Sequence, residues 1–154
     1  MPRHNRLALN QERRPIMFGK IIALSGGCDP LHVGHVRMIN HAATYGQVVI
    51  ILNSDAWLMR KKGYVFMPYE ERAEILTSLR SVAAVRKVDD ADGTVCEALK
   101  RIMPDYFGNG GDRTNKNTPE KELCEKLGIE LVWNLGGGKI QSSSELVAKI
   151  KEEK

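Results

Sequence analysis

Short apolar runs alternate with helix-like segments along most of the chain, and this alternation limits the folds that it can adopt. Two runs, Lys20 to Ser25 and Gln47 to Leu52, have the composition of strands buried on both faces. Shorter strands are predicted at 85–88, 106–108 and 129–133. Helices are predicted at 33–45, 68–80, 94–103, 120–127 and 143–151. Strands and helices in alternation predict an α/β fold with a parallel sheet and right-handed crossovers.

The positive charge of the chain is concentrated at its N-terminal end. The 154 residues carry a formal charge of +4, and residues 1–20 hold five basic residues against one acidic residue. We therefore expect residues 1–19 to form a basic, solvated arm and residues 20–154 to form one folded domain. Met17 could be the natural start. Residues 21–154 carry no net charge, which argues against nucleic acid as a partner.

Composition also indicates where the protein acts. Apolar residues make up 42% of the chain, enough for one core, but no run approaches the ~20 apolar residues that span a bilayer. The three cysteines match neither a zinc pattern nor a set of paired disulfides. We expect a cytoplasmic protein with reduced thiols and no membrane partner.

Glycines follow three of the predicted strands. The pairs Gly26-Gly27 and Gly110-Gly111 and the run from Gly136 to Gly138 stand where the carboxyl ends of strands are expected. In open parallel sheets, ligands bind beyond these ends, where the strand order reverses. The three loops are therefore expected to converge on one site.

The loop after the first strand has the composition of a phosphate site. Gly26 and Gly27 allow close approach of the backbone, and the following helix start offers unpaired N–H groups to an anion. His32 and His35 are three residues apart, so they share one face of that start, with Gly34 between them. Such donors suit the charge that develops on a phosphoryl group during displacement.

Other interpretations of this loop remain open. A histidine near a helix start can be a cap or a packing residue, and a pair three apart can bind a metal, although no third ligand follows at metal spacing. The dinucleotide pattern GxGxxG is absent, which argues against a dehydrogenase.

Glycine, Asp29 and His32-x-Gly34-His35 after a first strand resemble the signature of the cytidylyltransferase-like nucleotidyltransferases. The resemblance covers about residues 20–150 and implies a single Rossmann-like domain, with a five-stranded parallel sheet and helices on both faces. Its further motifs are Asn53-Ser54-Asp55, the basic run Arg60-Lys61-Lys62, Tyr69-Glu70-Glu71-Arg72, Gly110-Gly111-Asp112 and Ser142-Ser143-Ser144. The glycine-glycine-aspartate loop resembles that of heptose-phosphate adenylyltransferases.

The resemblance implies a role for each motif. The catalytic residues would be His32, His35 and Lys62, the lysine closing from a mobile basic loop at 60–63. The residues that bind nucleotide would be Gly26, Gly27, Cys28, Asp29, Gly34, Gly110, Gly111, Asp112, Ser142, Ser143 and Ser144. The residues that bind substrate would be Asn53, Asp55, Arg60, Arg72 and Arg113.

Some of these roles have alternatives. Asp29 either orients its loop or touches a metal, and Arg72 pairs with either a substrate phosphate or a structural carboxylate. Mg²⁺ is the implied cofactor, and a homodimer is expected. Cys28 stands where most relatives carry an aromatic residue, and Gln141 where they carry a small apolar one.

Together these features predict an enzyme that transfers a nucleoside monophosphate from ATP or CTP to a phosphorylated small molecule and releases pyrophosphate. An acceptor phosphate is mostly dianionic at neutral pH, so it needs no general base. ATP with a sugar 1-phosphate is favoured. The alternative is a CTP enzyme acting on glycerol 3-phosphate or phosphocholine. Glycerol-phosphate cytidylyltransferases carry an arginine where Gly136 to Gly138 stand, and its absence here argues against that alternative. A nucleotide-binding regulator without turnover and a fragment of an aminoacyl-tRNA synthetase are further alternatives.

Overall fold

The computed structural model describes residues 19–110, 118–137 and 143–152. Five strands and six helices follow one another in these residues. The strands are β1 Ile21–Gly26, β2 Gln47–Leu52, β3 Val82–Lys87, β4 Tyr106–Gly110 and β5 Glu130–Leu135. The helices are α1 Val33–Ala42, α2 Asp55–Lys62, α3 Tyr69–Ser78, α4 Cys96–Ile102, α5 Pro119–Leu127 and α6 Ser143–Glu152.

The strands form one parallel sheet in the order β3-β2-β1-β4-β5. The chain builds outward from β1 to β3, crosses back, and continues on the other side of β1 with β4 and β5. The order therefore reverses between β1 and β4, and a crevice is expected there beyond the carboxyl ends of the strands. The predicted single domain with a five-stranded parallel sheet is confirmed.

Alternate residues of the strands pack into two separate hydrophobic cores, because successive side chains point to opposite faces of a sheet. On one face, Ile22 and Leu24 of β1 pack with buried residues of α1 and α3. On the other face, Ala23 packs with buried residues of α4 and α5. Helices thus cover both faces, as predicted.

Glycine at position 108 of β4 lets side chains of β1 and β5 pack over the β4 backbone. A Cβ placed on Gly108 would lie 2.6 Å from Leu24 Cδ2 and would also overlap Leu135 Cδ1. The space that a side chain would take on β4 is therefore filled from β1 and β5.

The prediction of a basic loop at 60–63 is wrong. Arg60, Lys61 and Lys62 form the last turn of α2, which begins after Ser54 and ends at Gly63 in the left-handed region, with φ 82°. Ser54 Oγ caps the helix by accepting from Trp57 N at 3.1 Å. Three cations beside the last carbonyls of a helix are favourable for its dipole, so the basic run stabilises this helix end.

Several boundaries also differ from the predictions. Strand β3 begins at Val82 rather than at residue 85, β4 continues to Gly110, and β5 continues to Leu135. The helix predicted from residue 94 begins at Cys96. Of the predicted arm, only Gly19 lies in the described residues, so the boundary at residue 19 stays a prediction. No helix in the described ranges is long and apolar enough to cross a membrane.

Candidate active site

The two predicted histidines form the start of α1. His32 is the N-cap, and its Nδ1 accepts from Gly34 N at 3.0 Å. His35 completes the arrangement from the first turn, because its Nδ1 accepts from His32 N at 3.2 Å. The ring centroids lie 4.0 Å apart. The spacing His-x-Gly-His therefore builds a reciprocal cap that holds both rings side by side.

This capping sets which nitrogen can face a ligand. A neutral imidazole has one donor and one acceptor nitrogen, so a ring that accepts through Nδ1 carries its proton on Nε2. Burial, aided by His32 and Lys62, lowers the pKa of His35 to about 4. His35 is therefore neutral at physiological pH and presents an Nε2–H donor.

Asp29 is fully buried and fixes a second segment against the first loop. Its Oδ2 accepts from Phe66 N and its Oδ1 from Met67 N, both at 2.6 Å. Asp29 therefore orients its loop, one of its two alternatives, and contact of Asp29 with a nucleotide or a metal stays a prediction. We call residues 63–68, between α2 and α3, the strap. Asp29 thus joins the strap to the loop that carries the histidines.

Cys28 takes an inward position in the same loop. It is buried at a left-handed φ of 51°, and burial raises the pKa of its thiol to about 12. The side chain joins the core on the α1 face. Nucleotide contact by Cys28 stays a prediction, and a neutral thiol is what this environment favours.

Lys62 lies close to the first loop. The side chain is partly buried, and burial lowers the pKa of its ammonium, while the nearby Asp29 carboxylate acts in the opposite direction. Its positive charge also contributes to the lowered pKa of His35. Lys61, in contrast, is exposed and lies over the Trp57 ring, 4.9 Å from the centroid. Only one of these two neighbouring lysines is thus turned toward the histidines.

Arg72 is fully buried and pairs with a carboxylate. Its Nη2 donates to Asp55 Oδ1 at 2.6 Å, and its Nη1 donates to Gly27 O at 2.7 Å and Asn53 O at 2.9 Å. Its Nε donates to Met67 O at 2.9 Å. Arg72 therefore has a structural carboxylate partner, one of its two alternatives, and contact of Arg72 or Asp55 with substrate stays a prediction.

A buried carboxylate that the motif analysis did not single out, Asp90, organises the end of β2. Its two oxygens accept from Asn53 Nδ2, Ser54 N and Ser54 Oγ, at 2.6 to 3.1 Å. Arg60 donates to the Asp90 carbonyl at 2.8 Å. Asn53 and Arg60 thus have protein partners, and their contact with substrate stays a prediction. The run Asp89-Asp90 after a short strand was the available signal.

The start of α6 reaches the first loop. Ser143 is buried, and its Oγ donates to Pro30 O at 2.8 Å. A second helix start therefore lies beside that of α1. Gly110 ends β4 next to β1 in the sheet order. Gly111, Asp112, Arg113 and Ser142 lie outside the described residues, as does the Ser144 side chain.

The third glycine loop lies elsewhere along α1. Gly136, with φ 82°, lies against Met38, and its N–H donates to His41 Nδ1 at 2.9 Å. Met38 is about 9 Å along the helix from His32. Gly136 therefore contacts the body of α1 rather than its start.

In the part of the chain that the structure describes, the side chains do not form a magnesium-binding site of their own. No three His, Cys, Asp or Glu side chains there are grouped to hold a metal ion. Both oxygens of Asp29 already accept main-chain N–H groups. Mg²⁺ prefers oxygen ligands and commonly binds through substrate phosphates and water.

Comparison with known proteins places this arrangement in a family. The bifunctional protein HldE of Geotalea uraniireducens is 34% identical over 139 residues, which are 86% of this chain and 27% of that protein. HldE of Sulfurimonas denitrificans is 37% identical over 138 residues, again 86% and 27%. The chain thus spans just over a quarter of the length of these curated relatives.

A solved structure has the same fold. The lipopolysaccharide core biosynthesis protein from Thermoplasma volcanium superposes with a TM-score of 0.63 at 19% identity, over 79% of this chain and 98% of that one. A family model described as cytidylyltransferase-like matches residues 24–134. That match takes in the histidine pair, Lys62 and Arg72. The chain therefore belongs to the cytidylyltransferase-like family of nucleotidyltransferases.

Proposed function

We propose that this chain transfers a nucleoside monophosphate from a nucleoside triphosphate to the phosphate of a small molecule, with release of pyrophosphate. The observation that carries the proposal is the reciprocal cap of His32 and His35, which uses both Nδ1 atoms and so puts the ring protons on Nε2, at a helix start near Lys62. These groups are all donors or cations, as an anionic reaction centre requires.

The reaction that fits this set is an in-line displacement at the α-phosphorus. An oxygen of the acceptor phosphate forms the new P–O bond, and the bond from the α-phosphorus to the bridging oxygen breaks. The leaving pyrophosphate keeps the bonding electrons. Because the acceptor phosphate is already deprotonated, the protein has to hold two anions in line and offset their repulsion.

Each group has a proposed position in that reaction. His32 and His35 donate to the phosphoryl oxygens where charge builds up, and Lys62 lies over the same phosphates. Gly26, Gly27 and Gly34 let the triphosphate approach the backbone, and the start of α6 at Ser143 holds its outer phosphates through main-chain N–H groups. Gly110, Gly111 and Asp112 flank the base.

Mg²⁺ is proposed to arrive with the triphosphate, bound to its own oxygens. It would add positive charge at the phosphates. The described side chains do not supply a cage for it, so the proposal gives the protein no ligand to the metal.

The proposed substrates are ATP and a sugar 1-phosphate. The resemblance of Gly110-Gly111-Asp112 to heptose-phosphate adenylyltransferases supports ATP, and the glycines at 136–138 stand where a glycerol-phosphate enzyme carries arginine. Two adjacent glycines offer a base only main-chain groups and have no side chain to exclude a purine. CTP with glycerol 3-phosphate or phosphocholine is the competing pair.

We further propose a cytoplasmic homodimer that binds neither nucleic acid nor membrane. All three cysteines are free, which suits a reducing compartment. Sedimentation analysis tests the dimer: a single species at monomer mass at micromolar concentration would contradict it.

The test is release of pyrophosphate by the purified chain. Each of ATP and CTP is offered with sugar 1-phosphates, glycerol 3-phosphate and phosphocholine, with and without Mg²⁺. Pyrophosphate should appear only when triphosphate, acceptor and Mg²⁺ are all present. Hydrolysis to nucleoside diphosphate and phosphate would refute transfer, and nucleotide binding without pyrophosphate would indicate the regulator. A preference for CTP above about tenfold, or 1.4 kcal/mol, would reverse the choice of nucleotide.

A further inference from the structure

Arg72 ties together the segments on which the proposed site is built. Its guanidinium donates to Gly27 O in the loop after β1, to Asn53 O after β2 and to Met67 O in the strap, all within 2.9 Å. The fourth partner is the carboxylate of Asp55, in the first turn of α2. A guanidinium that is 0% exposed is held in place by such partners, because losing one leaves a buried donor unsatisfied.

Few contacts hold helix α2, and the ion pair of Arg72 with Asp55 is one of them. Only Leu58 is buried among its eight residues, so packing holds the helix weakly. Its first turn is fixed at two points, where Asp90 binds Ser54 and where Arg72 binds Asp55. Its last turn carries Lys62 and makes a further contact, from Arg60 to Asp90 O at 2.8 Å.

Asp55 and Lys62 lie at opposite ends of α2, so a small tilt of the helix at Asp55 displaces Lys62. Lys62 is seven residues after Asp55, which is about 10 Å along the axis. A tilt of about 6° at the first turn would move the last turn by roughly 1 Å. A misplacement of ~1 Å can lower a rate by about 10²-fold.

We propose that Arg72 and Asp55 are positioning residues: their ion pair fixes the tilt of α2, and so the position of Lys62 relative to His35. This role needs no contact between either residue and substrate. Its catalytic part rests on the proposed function, whereas its structural part, the hold on α2, does not.

One substitution at Asp55 breaks its ion pair with Arg72, and a substitution at another exposed ion pair serves as the control. Asp55→Ala removes the carboxylate, whose side chain is 44% exposed, so water can solvate the freed Nη2 and the protein should fold. Asp55→Asn keeps an acceptor and should restore part of the effect. The control is Glu97→Ala, on α4, which removes a carboxylate that is 42% exposed and with it both the Arg101 pair at 2.9 Å and the bond from Asp89 N at 3.0 Å.

A double-mutant cycle tests the catalytic part. Asp55→Ala should lower kcat by about tenfold or more in the native chain, but by less than about twofold when Lys62→Ala is already present, because the effect acts through Lys62. Glu97→Ala should change kcat in neither background. An equal loss from Asp55→Ala in both backgrounds would refute positioning through Lys62.

Amide hydrogen exchange tests the structural part without any substrate. The probes are the amides of Gly63, which donates to Met59 O, and Met67, which donates to Asp29. In Asp55→Ala both should exchange at least about fivefold faster than in the native chain, with Asp55→Asn between the two and Glu97→Ala unchanged. Unchanged exchange in Asp55→Ala would overturn the inference. If no substrate pair supports turnover, the proposed function fails, and exchange alone decides whether Arg72 holds α2.

Discussion

Each histidine of the site has two duties that fall on different ring nitrogens. The Nδ1 atoms cap α1, and the Nε2–H groups are the donors proposed for the phosphates. The spacing in the sequence predicted that both rings share one face. It offered capping only as an alternative to phosphate binding, whereas the structure shows that the rings cap the helix. Alanine is therefore an ambiguous substitution, because it removes the cap and the proposed donor together.

Asparagine separates these two duties. In His32→Asn and His35→Asn, the amide oxygen can replace Nδ1 as cap acceptor, but the Nε2–H donor is lost. We expect each variant to lower pyrophosphate release by roughly 10²-fold, as the loss of one preorganised donor does elsewhere, with a small change in thermal stability. His41→Asn serves as the matched control, because this exposed histidine also accepts a main-chain N–H through Nδ1. Near-normal turnover in both His32→Asn and His35→Asn would show that the histidines are structural.

The lowered pKa of His35 predicts a pH-dependent contribution to stability. Burial depresses the pKa from 6.5 to about 4 in the folded protein, so between these values the unfolded chain binds more protons. Stability from this group is therefore complete above pH 6.5 and is lost as the pH falls toward 4. We expect the free energy of unfolding of the native chain to fall relative to that of His35→Asn over this range. Urea denaturation at pH 7.5, 6 and 5 measures it, and parallel pH profiles would contradict it.

The roles of three other polar residues could not be predicted from the sequence alone. The sequence left Arg72 and Asp29 with two roles each, because three of the four Arg72 partners and both Asp29 partners are main-chain groups. Such partners have no signature in the residue types. Asp90 was overlooked for a similar reason, since Asn53 and Ser54 meet it only after β2 and β3 pair.

At the scale of the element, α2 is the part that the sequence predicted wrongly. Its eight residues bury one side chain, so no apolar stripe reveals a helix, and the basic run looks like a loop. What forms it is local: a serine cap, cations in the last turn and Gly63 at the end.

Placement of Lys61 and Lys62 on a helix sharpens the prediction about them. Neighbours on a helix point in different directions, and only Lys62 lies near the histidines. We expect Lys62→Ala to lower kcat at least about tenfold more than Lys61→Ala, as loss of a group that stabilises transferred phosphate should. Steady-state kinetics on both variants measures this difference. Equal, small effects would mean that the run is only a solvated surface.

Strand β4 carries another local requirement. Gly108→Ala should lower the free energy of unfolding by about 1–3 kcal/mol, because its Cβ would overlap side chains of β1 and β5. Gly26→Ala is the control, since a Cβ there meets only Cys28 Sγ at 3.9 Å. Chemical denaturation compares the two. A loss at Gly108 no larger than at Gly26 would show that the sheet adjusts freely.

For the whole molecule, alternation of strands and helices was enough to predict the fold. The two strongest apolar runs became the centre of the sheet, with β1 and β2 paired over their full length. Boundaries were less accurate on the flanking strands β3, β4 and β5, where the sequence mixes small and polar residues and pairing with a neighbour sets the length.

A chain that begins at Met17 tests the predicted arm. We expect it to fold with unchanged thermal stability and normal turnover, because the described elements begin at Ile21 and the folded part has no net charge for the arm to neutralise. Thermal denaturation and pyrophosphate release measure the two properties. Insoluble protein after truncation would show that the arm packs against the domain.

The sheet order has a practical consequence for how the molecule is attached to something else. The proposed site is assembled from the carboxyl ends of the strands, whereas Lys20 enters β1 from the amino ends and pairs there with Asp105. A strand of six residues separates these two edges by about 20 Å. A tag, a fused domain or a solid support joined at residue 20 therefore approaches the edge opposite the phosphates, and leaves the mouth of the site open to small molecules.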